Sequence, residues 1–171
     1  MHYEAMKWVQ DSFNEWFFAS EKNKLDVLEF GSLNINGSVK PIFEPYANTY
    51  FGIDMQEGPG VDMIADAASF DSEILYDVIV CAEVFEHTPA WKEIVNNAHR
   101  LLKVGGVFIA TMAGVGRTAH SAVDGLDLRD WEHYANITED ELSHALISFN
   151  DFKVDYTFGM NHPDIRCFAV K

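Results

Sequence analysis

Basic residues are scarce in this chain: 171 residues hold 12 Lys and Arg against 27 Asp and Glu, a formal net charge of −15. A polyanionic backbone is bound through clustered Lys and Arg that displace its counterions, so nucleic acid is not an expected partner. Cysteine is equally sparse. Cys81 and Cys167 each sit in an apolar run that reads as a strand, which predicts buried free thiols in a reducing compartment. No apolar run is long enough to span a bilayer and no signal-like segment opens the sequence. The expectation is therefore a cytoplasmic protein without a membrane partner. Asn36-Gly37-Ser38 and Asn136-Ile137-Thr138 match a glycosylation pattern that is common by chance and carries no weight without an export signal. Repeats, low-complexity tracts and linkers are missing too, and no residue pattern specifies an oligomer. Residues 1–171 read as one domain with one sizeable core and no separate substrate domain.

Against these absences, apolar periodicity is plain. Met6, Val9, Phe13, Trp16 and Phe17 recur at three- and four-residue intervals, predicting an amphipathic helix over about residues 3–22. Strand-like runs follow at Asp26–Phe30, Thr49–Ile53, Val61–Ala65, Tyr76–Cys81, Gly106–Met112, Phe152–Phe158 and Ile165–Val170. Helical patterns separate several of them: Ser38–Tyr46, Pro89–Leu102, and Thr138–Ser148 with the capping-box spacing Thr138…Glu141. This alternation predicts an α/β fold, a three-layer Rossmann-like sandwich around a seven-stranded, mostly parallel sheet. The last two strands are joined too tightly for a crossover and should form an antiparallel C-terminal hairpin. Between Ile53 and Val61 only Asp54-Met55-Gln56-Glu57-Gly58-Pro59-Gly60 intervene. A loop must replace the usual crossover helix there.

The strand Val27-Leu28-Glu29-Phe30 opens into Gly31-Ser32-Leu33-Asn34-Ile35-Asn36-Gly37. A buried strand that stops at a glycine-bearing turn delivers a small ligand to its carboxyl end. Glu29 closes the first strand and Asp54 the second, where a carboxylate can accept hydrogen bonds from ribose hydroxyls. A dinucleotide pyrophosphate needs Gly-x-Gly-x-x-Gly opening a helix, and this turn lacks it.

With these pieces placed, the chain resembles the class I S-adenosylmethionine-dependent methyltransferases from about residue 25 onward. Glu29-x-Gly31…Gly37 is similar to that family's glycine-rich first motif, Asp54 to its ribose-binding acid, and Asp66-Ala67 to the pair that meets adenine. Tyr76 to His87 looks like its fourth strand and following loop, and Leu101 to Ala110 like its helix end, glycine turn and fifth strand. The resemblance implies S-adenosyl-L-methionine as cofactor, with Glu29, Gly31, Ser32, Asn36, Gly37, Asp54, Met55, Asp66, Ala67, Cys81, Ala82 and Glu83 around it. Leu33 and Ile35 depart from the usual motif by standing where further glycines are common. Asp66 reads equally as the N-cap of a short helix, and His87 equally as an ordinary residue at the start of a helix.

Residues 113–137 form a long connection of little periodicity, dense in polar and aromatic groups, and such segments commonly serve as lids. It is expected to overhang the acceptor, with Glu86, Arg117, Trp131 and Tyr134 as substrate contacts and His87, His120 or His133 as a general base. His120, Asp124 and His133 lack tight metal-ligand spacing, and no metal is assigned. No Asn-Pro-Pro-Tyr or Asp-Pro-Pro-Tyr follows the fourth strand and no Pro-Cys occurs, so the expected acceptor is a small molecule or saccharide-like compound. Two other classes remain open: a non-catalytic S-adenosylmethionine-binding protein and a nicotinamide-dependent oxidoreductase.

Overall fold

The computed structural model describes residues 3–156 and 163–171. The chain opens with α1 (Tyr3–Ala19), β1 (Leu25–Phe30) and α2 (Lys40–Phe43), the last followed by a 3-10 turn at Glu44–Tyr46. Next come β2 (Ala47–Asp54), β3 (Met63–Ile64), β4 (Tyr76–Ala82), a 3-10 turn at Phe85–His87 and α3 (Trp91–Leu101). β5 (Leu102–Ala113), α4 (Glu139–Ala145), β6 (Asp151–Tyr156) and β7 (Asp164–Val170) complete it. The seven strands make one sheet in the order β3-β2-β1-β4-β5-β7-β6, with β7 antiparallel to both β5 and β6 and the other pairs parallel. This is the expected sandwich; residues 157–162, on which the end of the expected strand Phe152–Phe158 and most of the connection to the last strand fall, lie outside the described residues.

Two apolar layers cover the sheet, sorted by the period-two alternation of the strands. Val27, Val78, Val80, Val107 and Ile109 meet Val9, Phe13 and Phe17 of α1 and Phe43 of α2 on one face. Leu28, Phe30, Ile79, Cys81, Phe108 and Ala110 meet Ile94, Val95, Ala98 and Leu101 of α3 and Leu142 of α4 on the other. Each buried side chain of this size contributes roughly 1.5–3 kcal/mol. The rings of Phe13 and Phe43 lie 4.8 Å apart and those of Phe17 and Tyr46 4.5 Å apart, locking α1 onto the short second helix. Both cysteines are free and buried, as expected.

Where element bounds differ from expectation, a local cause is visible. α1 stops at Ala19 because Glu21 takes φ of 57°, a left-handed residue that ends the helix short of Lys22. Ser38–Tyr46 is broken up because Pro41 and Pro45 supply no backbone donor, leaving a four-residue helix and a 3-10 turn. α4 is closed at its start by the predicted capping box, with Thr138 and Glu141 each serving the other's backbone amide. β3 is parallel to β2 but only two residues long and exposed, a short edge that blunts further pairing. Its loop connection is held by Asp62, whose amide donates to the Gly52 carbonyl at 2.8 Å while its carboxylate accepts from the Gly52 amide at 2.8 Å. Gly60 (φ 94°) lets that loop pass under the turn after β1, where a Cβ would lie 2.5 Å from the Ser32 carbonyl oxygen. No helix among the described residues is long and apolar enough to cross a membrane.

Candidate functional site

A cavity of about 800 Å³ opens at the carboxyl ends of β1, β2 and β4, on the edge of the sheet where strand order reverses. Its floor is the turn after β1. The amides of Gly31 and Ser32 both donate to the Ile53 carbonyl, at 2.9 and 3.0 Å, tying this turn to the end of β2. Gly31 takes φ of 74° and a Cβ there would strike Val84 at 2.2 Å, so only glycine fits between the two loops. No helix starts at this turn: residues 31–39 run irregularly to α2. A helix N-terminus, the element that cradles a dinucleotide's phosphates, does not stand at this turn.

The acids of the site are held differently from one another. Asp54 accepts from the Leu33 amide at 3.1 Å and the Gln56 amide at 3.0 Å, one on each oxygen, which fixes its orientation and leaves lone pairs toward the cavity. Asp66 accepts from the Ala68 amide at 2.9 Å, so it stabilises a turn and also lines the cavity beside Ala67. Glu29 is buried, and Tyr50 on β2 donates its phenol to it. Burial pushes the Glu29 carboxyl up to about 7, and the Tyr50 hydrogen bond opposes that rise. Ser32 lines the cavity as a residue, but its hydroxyl is buried beneath the turn, where a Cβ on Gly52 would lie 2.7 Å from it.

A family model described as a methyltransferase domain matches residues 1–155. The chain belongs to the methyltransferase domain family. Solved structures with the same fold include N-methyltransferase NodS from Bradyrhizobium japonicum WM9, 16% identical with a TM-score of 0.65 over 98% of this chain and 97% of that one. An S-adenosylmethionine-dependent methyltransferase from Clostridium acetobutylicum ATCC 824 is 13% identical with a TM-score of 0.70, covering 99% of this chain and 92% of that one. The 1,6-didemethyltoxoflavin-N1-methyltransferase of Burkholderia thailandensis is 15% identical with a TM-score of 0.70, covering 98% of this chain and 78% of that one. A comparison with curated protein sequences gives no match.

In this methyltransferase domain, every cofactor candidate read from the sequence lines the cavity except Cys81. Cys81 follows the alternation of β4 away from it: Ala82 and Glu83 reach the cavity, while the thiol packs in the core under α3. Of the candidate bases, His87 and His120 lie on the wall and His133 does not. Trp131 is also off the wall, 73% exposed with Arg129 over its ring at 5.9 Å. The reason is again alternation. Around residues 131–134 the chain turns Glu132 and Tyr134 inward, leaving Trp131 and His133 exposed, but Tyr134 packs behind His87 and His120 and, contrary to expectation, does not line the cavity either.

Glu132 organises the long connection, a role not read from the sequence. Its carboxylate accepts from the Ser121 hydroxyl at 2.8 Å, the Ala122 amide at 3.0 Å and the Arg129 amide at 2.9 Å. Arg117 lines the cavity and pairs with Asp164 of β7 and, at 3.5 Å, with Glu83. Asp164 had no signal in the sequence, because its position opposite Ala113 depends on the antiparallel register of β5 and β7.

Behind the wall, Glu86 is fully buried and is not itself a cavity contact. Burial, reinforced by the Glu83 charge, raises its carboxyl well above the usual range. Burial likewise holds the His87 imidazole down to about 4, so it is neutral at physiological pH. The His87 and His120 rings stand edge to face at 5.0 Å, and Tyr134 packs on them at 5.5 and 5.1 Å. Asp124, by contrast, is drawn away to Arg129 at 2.6 Å and to the Leu126 amide at 3.0 Å. The grouping of His120, Asp124 and His133 weighed from sequence is not formed.

Proposed function

We propose that the protein transfers a methyl group from S-adenosyl-L-methionine to a small-molecule acceptor. The observation that supports this most is the charge of the cavity: Glu29, Asp54, Asp66, Glu83 and Asp127 line it against one base, Arg117, which is already paired. Such a wall suits a cationic sulfonium ligand and repels a pyrophosphate. The residues also fit the rest of the molecule. Asp54 would take the ribose hydroxyls on its free lone pairs, Ala67 and Met55 would flank the adenine with Asp66 beside it, and Glu29 would face the amino-acid end.

Bound there, S-adenosylmethionine supplies an electrophilic methyl carbon on sulfur. The protein's task is then to align the acceptor, which in favourable cases accounts for roughly 7–11 kcal/mol of barrier. His87 offers a neutral imidazole to an acceptor hydroxyl or amine, with the His120 ring beside it on the wall, and Arg117 a fixed positive charge. Residues 113–137 act as the lid, with the segment from Thr118 to Ala122 over the cavity and Tyr134 packed behind the two histidines. NodS and the toxoflavin enzyme are named as N-methyltransferases, the second with 1,6-didemethyltoxoflavin bound, and the acceptor proposed here is likewise a small molecule.

Incubation with methyl-labelled S-adenosylmethionine and a fractionated metabolite pool tests the reading. Label moving to a low-molecular-weight product is expected; binding with no transfer to any fraction would favour a non-catalytic binding protein. Hydrogen exchange tests the lid, since added protection within residues 113–137 on cofactor binding is expected and its complete absence would remove that part.

A further inference from the structure

We propose that Glu86, His87 and His120 form a binding site for one divalent transition-metal ion of the zinc type. Each offers a ligand atom, and the three atoms lie within 4.8 Å of one another. Ligands about 2.0–2.2 Å from a tetrahedral ion sit roughly 3.4 Å apart, so binding would draw them in by roughly 1 Å. Two imidazoles and a carboxylate are a donor set that favours zinc-like ions over magnesium, which prefers oxygen ligands and near-octahedral hydration.

Proximity is not the only observation. Neither oxygen of the fully buried Glu86 carboxyl makes a hydrogen bond, and the buried Nδ1 of His87 makes none either. Orphaned buried polar atoms of this kind are rare and costly, and a cation would satisfy them together.

The surroundings are those of a held site. His120 Nδ1 lies 3.1 Å from the Thr118 carbonyl, to which it donates, leaving Nε2 as the lone-pair nitrogen. The same carbonyl accepts from the Tyr134 hydroxyl at 3.2 Å. The Glu86 backbone is fixed by the Ala135 amide at 2.9 Å. His87 and His120 also line the cavity, so the ion's remaining coordination positions would open into it. They would accept an oxygen ligand from the molecule bound there, and the imidazoles would then be ligands and not proton acceptors. This inference rests on the side-chain geometry alone and stands whether or not methyl transfer is the activity.

Calorimetric titration of ZnCl2 into the full, untagged, metal-stripped chain tests it. One site per chain is expected, with a dissociation constant on the order of 1 µM or below and no comparable binding of Mg2+. His120→Ala and Glu86→Gln should each weaken Zn2+ binding by roughly tenfold or more. His144→Ala, on the exposed face of α4, should leave it unchanged. Co2+ provides a second readout through visible d–d absorption, which His120→Ala should abolish. Should Glu86→Gln fail to give a cooperative thermal melt, His120→Ala, whose residue lies half-buried on the loop, decides the matter. No uptake of Zn2+ by the parent, equal affinity in His120→Ala, or loss of the site in His144→Ala would overturn the proposal.

Discussion

Tyr50 on β2 donates its phenolic hydrogen to the buried carboxyl of Glu29 on β1, at the point where both strands reach the cavity. The hydrogen bond favours the charged carboxylate, yet burial prevails and raises the group to about 7. A cation arriving beside Glu29 should therefore expel its proton. Affinity for S-adenosylmethionine should rise between about pH 6 and 8, with proton release read as a buffer-dependent binding enthalpy. Glu29→Gln should flatten that dependence. Affinity in the parent that is independent of pH across this range would contradict the assignment.

The same residue has a signature in the ligand-free protein. Its folded pKa of about 7 exceeds the ordinary 4.5, so its stabilising contribution is complete below 4.5 and is lost as pH rises through about 7. His87, held down from 6.5 to about 4, acts in the opposite sense between about pH 4 and 6.5, in parent and variant alike. Urea denaturation of the parent relative to Glu29→Gln isolates the Glu29 effect: the parent should lose stability against the variant as pH rises from about 5 to about 7.5.

Asp54 is oriented by two amides and would accept from ribose as a charged group. Asp54→Ala should lose on the order of 1.5–3 kcal/mol of cofactor binding, or roughly 10–100-fold. Calorimetry on a variant with parental thermal stability checks this, and unchanged affinity would remove Asp54 from the ribose site.

Arg117 and Asp164 form a buried ion pair that clamps the start of the 113–137 connection to β7. Removing one partner strands the other in the interior, so Asp164→Ala should lower unfolding stability by about 3–5 kcal/mol. A loss of less than about 1 kcal/mol in urea denaturation would mean that Glu83, also near Arg117, compensates for it.

The central sheet was legible because buried parallel strands carry nearly unbroken apolar runs, as in Val78-Ile79-Val80-Cys81, and because acids that end such runs stand out. Asp54 and Glu29 were visible for that reason. Residues whose orientation depends on strand parity were harder to place. Cys81 belongs to the same run as Ala82 yet faces the opposite layer, and Trp131 and His133 lie outside while Tyr134 lies in. What could not be read were contacts between segments far apart in sequence. Arg117 meets Asp164 only through the antiparallel register of β7, His120 comes back onto Glu86 and His87 only through the folded connection, and Glu132 gives that connection its shape.

Paired titrations of the purified protein with S-adenosylmethionine and with NAD test the central claim most directly. An acidic cavity without a helix-borne phosphate cradle predicts one molecule of S-adenosylmethionine per chain and no comparable binding of NAD. Equal or tighter binding of NAD, or no binding of S-adenosylmethionine, would contradict the account.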